Sequence, residues 1–163
     1  MRFNNSQINL LLGLVFAVLI VVIVYFAMMV TSDENKIRER EQAVIGYMNI
    51  IRNAELRYRQ VNGEYCGSID SLALSGFIAD SLKYIPYSNG RKFNIRTSVV
   101  EEKQGETKRL TFMECYAFYD DYLKGLDKET IDDAKKQAEA KGKFPGLKFG
   151  DIENQSDNIG NWE

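Results

Sequence analysis

The chemistry open to this chain is set first by a residue it lacks. It contains no histidine. That removes the usual general base near neutral pH, the Ser-His-Asp and Cys-His nucleophile arrangements, and the commonest metal ligand. Two cysteines remain, Cys66 and Cys115. An even number of thiols in an oxidising compartment reads as a disulfide. Such a bond would close a loop of about 50 residues and contribute ~4 kcal/mol in the chain-entropy model. The competing reading is two buried thiols.

Adjacent carboxylates occur at Asp120-Asp121, with Lys124 nearby, and at Asp132-Asp133. Paired carboxylates divide acid and base roles only where their environments separate their pKa values. At a strand end or on a polar helix they read as a solvated face. The run from Asp151 to Asp157 alternates oxygen donors, as calcium loops do. Its sixth position is Ser156 rather than Gly, and its twelfth is Trp162 rather than Glu, so it departs from the EF-hand pattern. No catalytic, cofactor-binding or metal residue is expected, and the chain reads as a non-enzyme. A small tethered enzyme using Asp, Glu, Lys, Tyr or Cys chemistry is the reading from a different class.

The elements that would position these groups begin with the stretch Ile8 to Val30. It is almost unbroken in apolar residues, with Asn9 and Tyr25 as the exceptions. About 20 helical residues cross a hydrocarbon core of about 30 Å. The expectation is an uncleaved signal anchor: a cytoplasmic tail over 1–7, a transmembrane helix over 8–30, and an extracytoplasmic domain over 31–163. The helix carries no Asp, Glu, Lys or Arg, so it would carry no protons itself. Gly13 and Ala17 give a small-xxx-small spacing that would let another membrane helix approach.

The part after the apolar run fits one domain. It holds 20 basic against 23 acidic residues, which is no nucleic-acid surface. From Asp33 to Val61, Ile37, Val44, Met48, Ile51 and Tyr58 recur at helical spacing, so the helix is expected to continue and to end at Asn62-Gly63. Arg38, Arg52, Arg57 and Arg59, with Arg40, lie mostly off that stripe. They would face lipid headgroups or an acidic partner, or form local ion pairs with the interspersed glutamates. Ser68 or Asp70 would cap a second, short helix closed by Ser75-Gly76. Tyr84 to Tyr87 reads as a brief strand, its Pro86 suiting an edge or strand end. Lys92–Glu101 and Lys108–Tyr119 read as the arms of a hairpin, with the turn at 103–106. The second arm is apolar on both faces and is expected to be central. Thr130 to Lys141 reads as a surface helix. In the Gly- and Asn-rich tail, Leu147 and Phe149 would add a short strand, and Ile152 and Trp162 would pin the end to the domain; otherwise the tail is loose.

Arg52, Ala54 and Tyr58, then Asn62-Gly63-Glu64-Tyr65, then Ile69-Asp70-Ser71-Leu72 resemble type IV pilins and the pseudopilins of type II secretion. The resemblance covers roughly the first half of the chain. It implies a helix whose apolar half anchors the subunit and whose second half packs on a small antiparallel sheet. The chain lacks the Gly followed by Phe-Thr-Leu-x-Glu that the family carries before its apolar run, and Cys66 falls where a Pro is usual. The expected class is α+β. The expected role is a non-catalytic subunit of an envelope complex, pilin-like, on the bacterial inner membrane with its domain in the periplasm. Expected partners are the lipid bilayer and other envelope membrane proteins, with homo- or hetero-oligomers formed through the first helix. An accessory subunit of a proton-driven TonB-type complex is the alternative within that class.

Overall fold

In the computed structural model the backbone is described for residues 5–104, 106–154 and 156–163, and the side chains of 1–8, 10, 27, 29–32, 101–108 and 155–157 lie outside the description. The chain divides into two compact units, Met1–Ile37 and Arg38–Glu163. One helix, α1, runs Asn5–Asn62 through both. No Pro occurs in that stretch to break it. It stops where the stripe runs out: Gly63 takes φ 81° and its N–H donates to the Arg59 carbonyl at 2.8 Å. That is a left-handed glycine stop. Of the tail expected over 1–7, residues 1–4 lie outside the described residues and 5–7 belong to α1.

The transmembrane helix expected over 8–30, and the anchor with it, is corrected. Among the described residues no helix is long and apolar enough to cross a membrane.

In the second unit the buried stripe of α1 is Val44, Met48, Ile51, Ala54 and Glu55, all fully inaccessible. A short helix, α2 (Ile69–Leu74), follows, with the Ser68 hydroxyl accepting the Ser71 N–H at 3.3 Å. Ile69 and Leu72 turn inward. The strand expected at Tyr84–Tyr87 is replaced by a 3-10 turn (Asp80–Lys83), a single bridge from Tyr84 to Lys92, and a turn in which Tyr87 and Asn89 adopt positive φ. Buried Ser88 holds that turn: its hydroxyl donates to the Ile85 carbonyl at 2.6 Å and accepts the Arg91 N–H at 3.0 Å.

The hairpin forms as β1 (Asn94–Gln104) and β2 (Glu106–Phe118), fully paired from Asn94↔Tyr116 to Gln104↔Glu106. Its expected turn centres on Gly105, which lies outside the described residues. After β2 come α3 (Tyr119–Tyr122) and α4 (Lys128–Ala140), the latter capped by the Asp127 carboxylate. The tail is not loose. It folds as β3 (Gly146–Asp151) and β4 (Ser156–Gly160), giving one antiparallel sheet in the order β1-β2-β3-β4. The Trp162 ring closes edge-on to Phe149 at 6.5 Å. Thr111, Met113, Cys115 and Ala117 form the buried face of β2, with Leu147 and Phe149 beside them on β3. The opposite face carries the half-exposed Leu110, Phe112, Tyr116 and Phe118, the last two packed with Phe144.

Candidate functional site

The residues offered for catalysis are dispersed or engaged in structure. Asp121 is buried, and it accepts the Phe118 N–H at 3.0 Å and Arg91 Nη1 at 2.6 Å. It caps α3 and ties down the 85–91 turn. Asp120 faces away and pairs with Lys135 at 2.6 Å, while the Lys124 carbonyl accepts from Arg40 at 2.9 Å. Asp132 and Asp133 make i,i+3 pairs with Lys135 and Lys136 along α4. Asp151 shapes the β3–β4 turn. Donation from the Asn154 backbone and side-chain amides, with Lys148 and the Glu153 N–H, holds its carboxyl well below the usual carboxylate range. The calcium reading also drew on Gln155, which lies outside the described residues. Among the described residues no cluster of three metal-ligating side chains occurs.

The Cys66–Cys115 disulfide is corrected: both thiols are free. Cys115 is sealed on the inner face of β2, whereas Cys66 lies half-exposed in the loop after α1, with its Sγ donating to the Ser68 carbonyl at 3.5 Å. Burial pushes both thiols up, Cys115 furthest, so both stay protonated at neutral pH.

Glu55, one of the glutamates interspersed with the arginines of α1, organises this region. It is wholly buried in the middle of α1. Its Oε2 accepts the Cys66 N–H at 2.8 Å, and Oε1 has no partner. Burial raises its pKa, against the pull of the Cys66 and Gly67 amides. The signal was present: 44, 48, 51, 55, 58 is one unbroken helical stripe.

The arginines are spent inside the chain. Arg52 donates to the Asn158 carbonyl at 3.0 Å, to Glu163 at 2.6 Å and to Asn49 at 2.9 Å. Arg57 donates to the Phe77 carbonyl at 3.2 Å, and Arg59 to the Tyr65 hydroxyl at 3.1 Å while lying over that ring. Arg40 donates to the Tyr122 carbonyl at 3.0 Å and lies over Tyr87. Arg38 is exposed, with Glu41 close enough to feel its charge.

The surface left without an internal role is in the first unit. Every large apolar side chain from Leu11 to Phe26 is exposed, from 42 % at Val22 to 67 % at Leu12, Phe16 and Val21. Gly13 and Ala17 lie together in a shallow hollow of about 500 Å³ on this helix, framed by Asn9, Leu12, Phe16 and Ile20. Nothing lies within 4 Å of a Cβ built on Gly13. A helix apolar all round is a buried helix in its working state. Soluble monomers rarely expose apolar patches beyond a few hundred Å² unless the patch binds something.

The chain matches no protein-family model, no curated protein and no solved structure.

Proposed function

We propose that the chain is a non-catalytic, pilin- or pseudopilin-like assembly subunit, acting by protein–protein contacts in a secretion or pilus apparatus. The first half of α1 is the contact element, buried against the same helix of neighbouring copies. The single observation behind this is the exposed apolar run from Leu11 to Phe26. Each such side chain gains roughly 1.5–3 kcal/mol on full burial, so four of them against a neighbour contribute about 6–12 kcal/mol before the entropic cost of association. Added support comes from the layout that the resemblance implies: a single long helix, stopped at Asn62-Gly63, with a four-stranded antiparallel sheet.

The test is the mass of the full chain by light scattering, alone and as the double variant Leu12→Glu, Phe16→Glu. The wild type is expected to form oligomers and the variant to be dissociated, with unchanged far-UV circular dichroism. A monomeric wild type, equal masses for both chains, or binding to lipid vesicles without self-association would overturn the proposal.

A further inference from the structure

The second unit carries a hollow that polar and aromatic side chains share. It holds about 530 Å³ and is lined by Gly90, Arg91, Lys92, Asn94, Phe118 and Asp121. That lies within the roughly 300–1,000 Å³ of small-molecule sites. The fold explains why these residues meet. Asn94 opens β1 opposite Tyr116, and the same register carried back sets Lys92 beside Phe118, the last residue of β2. Asp121 follows in α3, and Gly90 and Arg91 come from the turn that Ser88 holds. That turn is strained: Tyr87 at φ 62° and Asn89 at φ 57° take the left-handed conformation that bulky side chains rarely adopt. Backbone strain of this kind clusters at ligand clamps.

The polar groups at the hollow are oriented and only partly used. Asp121 is buried, and it accepts Arg91 Nη1 on one oxygen at 2.6 Å and the Phe118 N–H on the other at 3.0 Å. It aims the guanidinium, whose side chain stays two-thirds exposed. Among the described residues, the other Arg91 nitrogens and the Asn94 side-chain amide have no hydrogen-bond partner. Phe118 supplies the apolar wall, with its ring 37 % exposed. Phe144 stacks on that ring at 5.0 Å but does not line the hollow, so the hollow meets the side of the ring that Phe144 leaves free.

Charge selects the ligand. Both cations are already matched, Arg91 by Asp121 and Lys92 by Asp70 at 2.7 Å. An anion would have to draw Arg91 away and leave a buried carboxylate unpaired, which is costly. A neutral ligand leaves both pairs intact. Adjacent donors and acceptors suit hydroxyls, each of which is both. The electron-rich face of an aromatic ring suits C–H groups. A pyranose sugar presents hydroxyls at its rim and C–H groups on a face.

We propose that this hollow binds a neutral pyranose sugar. Its C–H face rests on Phe118, and adjacent hydroxyls meet the free guanidinium edge of Arg91, the Asn94 amide and the Asp121 carboxylate. This site goes beyond the helix-borne assembly and does not depend on it.

The test is saturation-transfer NMR on the full chain, which reads weak ligands on an assembly as well as on a monomer. The probes are the methyl glycosides of glucose, galactose and mannose. Transfer to the ring C–H protons of at least one is expected, with a millimolar Kd and no displacement by inorganic phosphate. Phe118→Leu keeps an apolar wall without an aromatic face and should weaken binding about fivefold or more. Asn94→Ala removes an exposed amide that holds nothing else in the fold and should weaken binding about threefold or more. Both variants are expected to keep the wild-type far-UV circular dichroism. No transfer to any of the glycosides, or wild-type affinity in either variant, would overturn the proposal and leave the helix-borne reading standing. Displacement by inorganic phosphate would overturn it too, making the hollow an anion site.

Discussion

Replacing Glu55 by Gln should stabilise the second unit at neutral pH, whereas replacing it by Ala should destabilise it. Glu55 is inaccessible, its Oε2 accepts the Cys66 N–H at 2.8 Å, and its Oε1 has no donor. A buried carboxylate costs several kcal/mol in desolvation, and its charge-assisted bonds return about 1.5–3 kcal/mol each. Gln keeps the acceptor and the shape and discards the charge. Its amide nitrogen then lacks an acceptor, costing about 1–3 kcal/mol, so the net gain at pH 7.5 is about 1–2 kcal/mol. For a chain of this size that raises Tm by about 2–8 °C. Ala leaves the Cys66 N–H unpaired and a void on the helix stripe, for a net loss of about 2–4 kcal/mol.

The pH dependence separates this account from simple packing. Burial raises the folded-state pKa of Glu55 above its ordinary value near 4.5. The folded chain therefore holds that proton more tightly than the unfolded one. The stabilisation is fully present below about pH 4.5 and fades as pH rises through the folded pKa. Gln removes that titration, so its advantage over wild type should grow from pH 4 to pH 8. The assay is urea denaturation followed by near-UV circular dichroism across that range. A Gln variant as unstable as the Ala variant at pH 7.5, or a Gln advantage constant with pH, would refute the reasoning.

Two further substitutions test the packing around it. The Tyr122 hydroxyl is buried without a partner, so Tyr122→Phe removes an unsatisfied group and should gain about 1 kcal/mol, read as a higher urea midpoint at unchanged slope. Gly150 sits at φ 68°, and a Cβ there would run into the Met113 carbonyl, so Gly150→Ala should cost at least about 2 kcal/mol and release the β3–β4 hairpin to rapid amide exchange.

Legibility in the sequence followed local signals. The end of α1 was readable because Gly63 is a stop with one steric reason, and the cap of α2 because the Ser68 hydroxyl meets an orphan N–H. The hairpin was readable from the alternation along both arms. Tyr84 to Tyr87 misled because a short run of aromatic and β-branched residues mimics a strand, while the deciding contacts come from Ser88 and from Lys83, outside that window. In the tail β3 was readable at Leu147 and Phe149, whereas β4 was hidden because Ser156–Gly160 holds a single large apolar residue. Gly146 and Gly150 are required in β3 because β2 backbone occupies the space a Cβ would take. Counting cysteines gave a pair; only the fold separates one thiol behind the sheet from one in an open loop.

The candidate site was readable in part for the same reason. An apolar run is visible in any sequence, but whether arginines face outward depends on carbonyls far along the chain. Arg40, Arg52 and Arg57 each reach a backbone carbonyl at least 20 positions away. A guanidinium so engaged is fixed in direction and half-spent as a donor, since freeing it for a partner would leave a carbonyl unpaired. Of the arginines on α1, Arg38 and Arg59 are exposed without such a carbonyl, and Arg59 is held instead by the Tyr65 hydroxyl. Recognition by charge is therefore a poor use of this helix, whereas recognition by apolar burial breaks nothing already made. That asymmetry supports the proposed role of the first half of α1 in assembly, and it leaves the arginines of the second half to hold the second unit together.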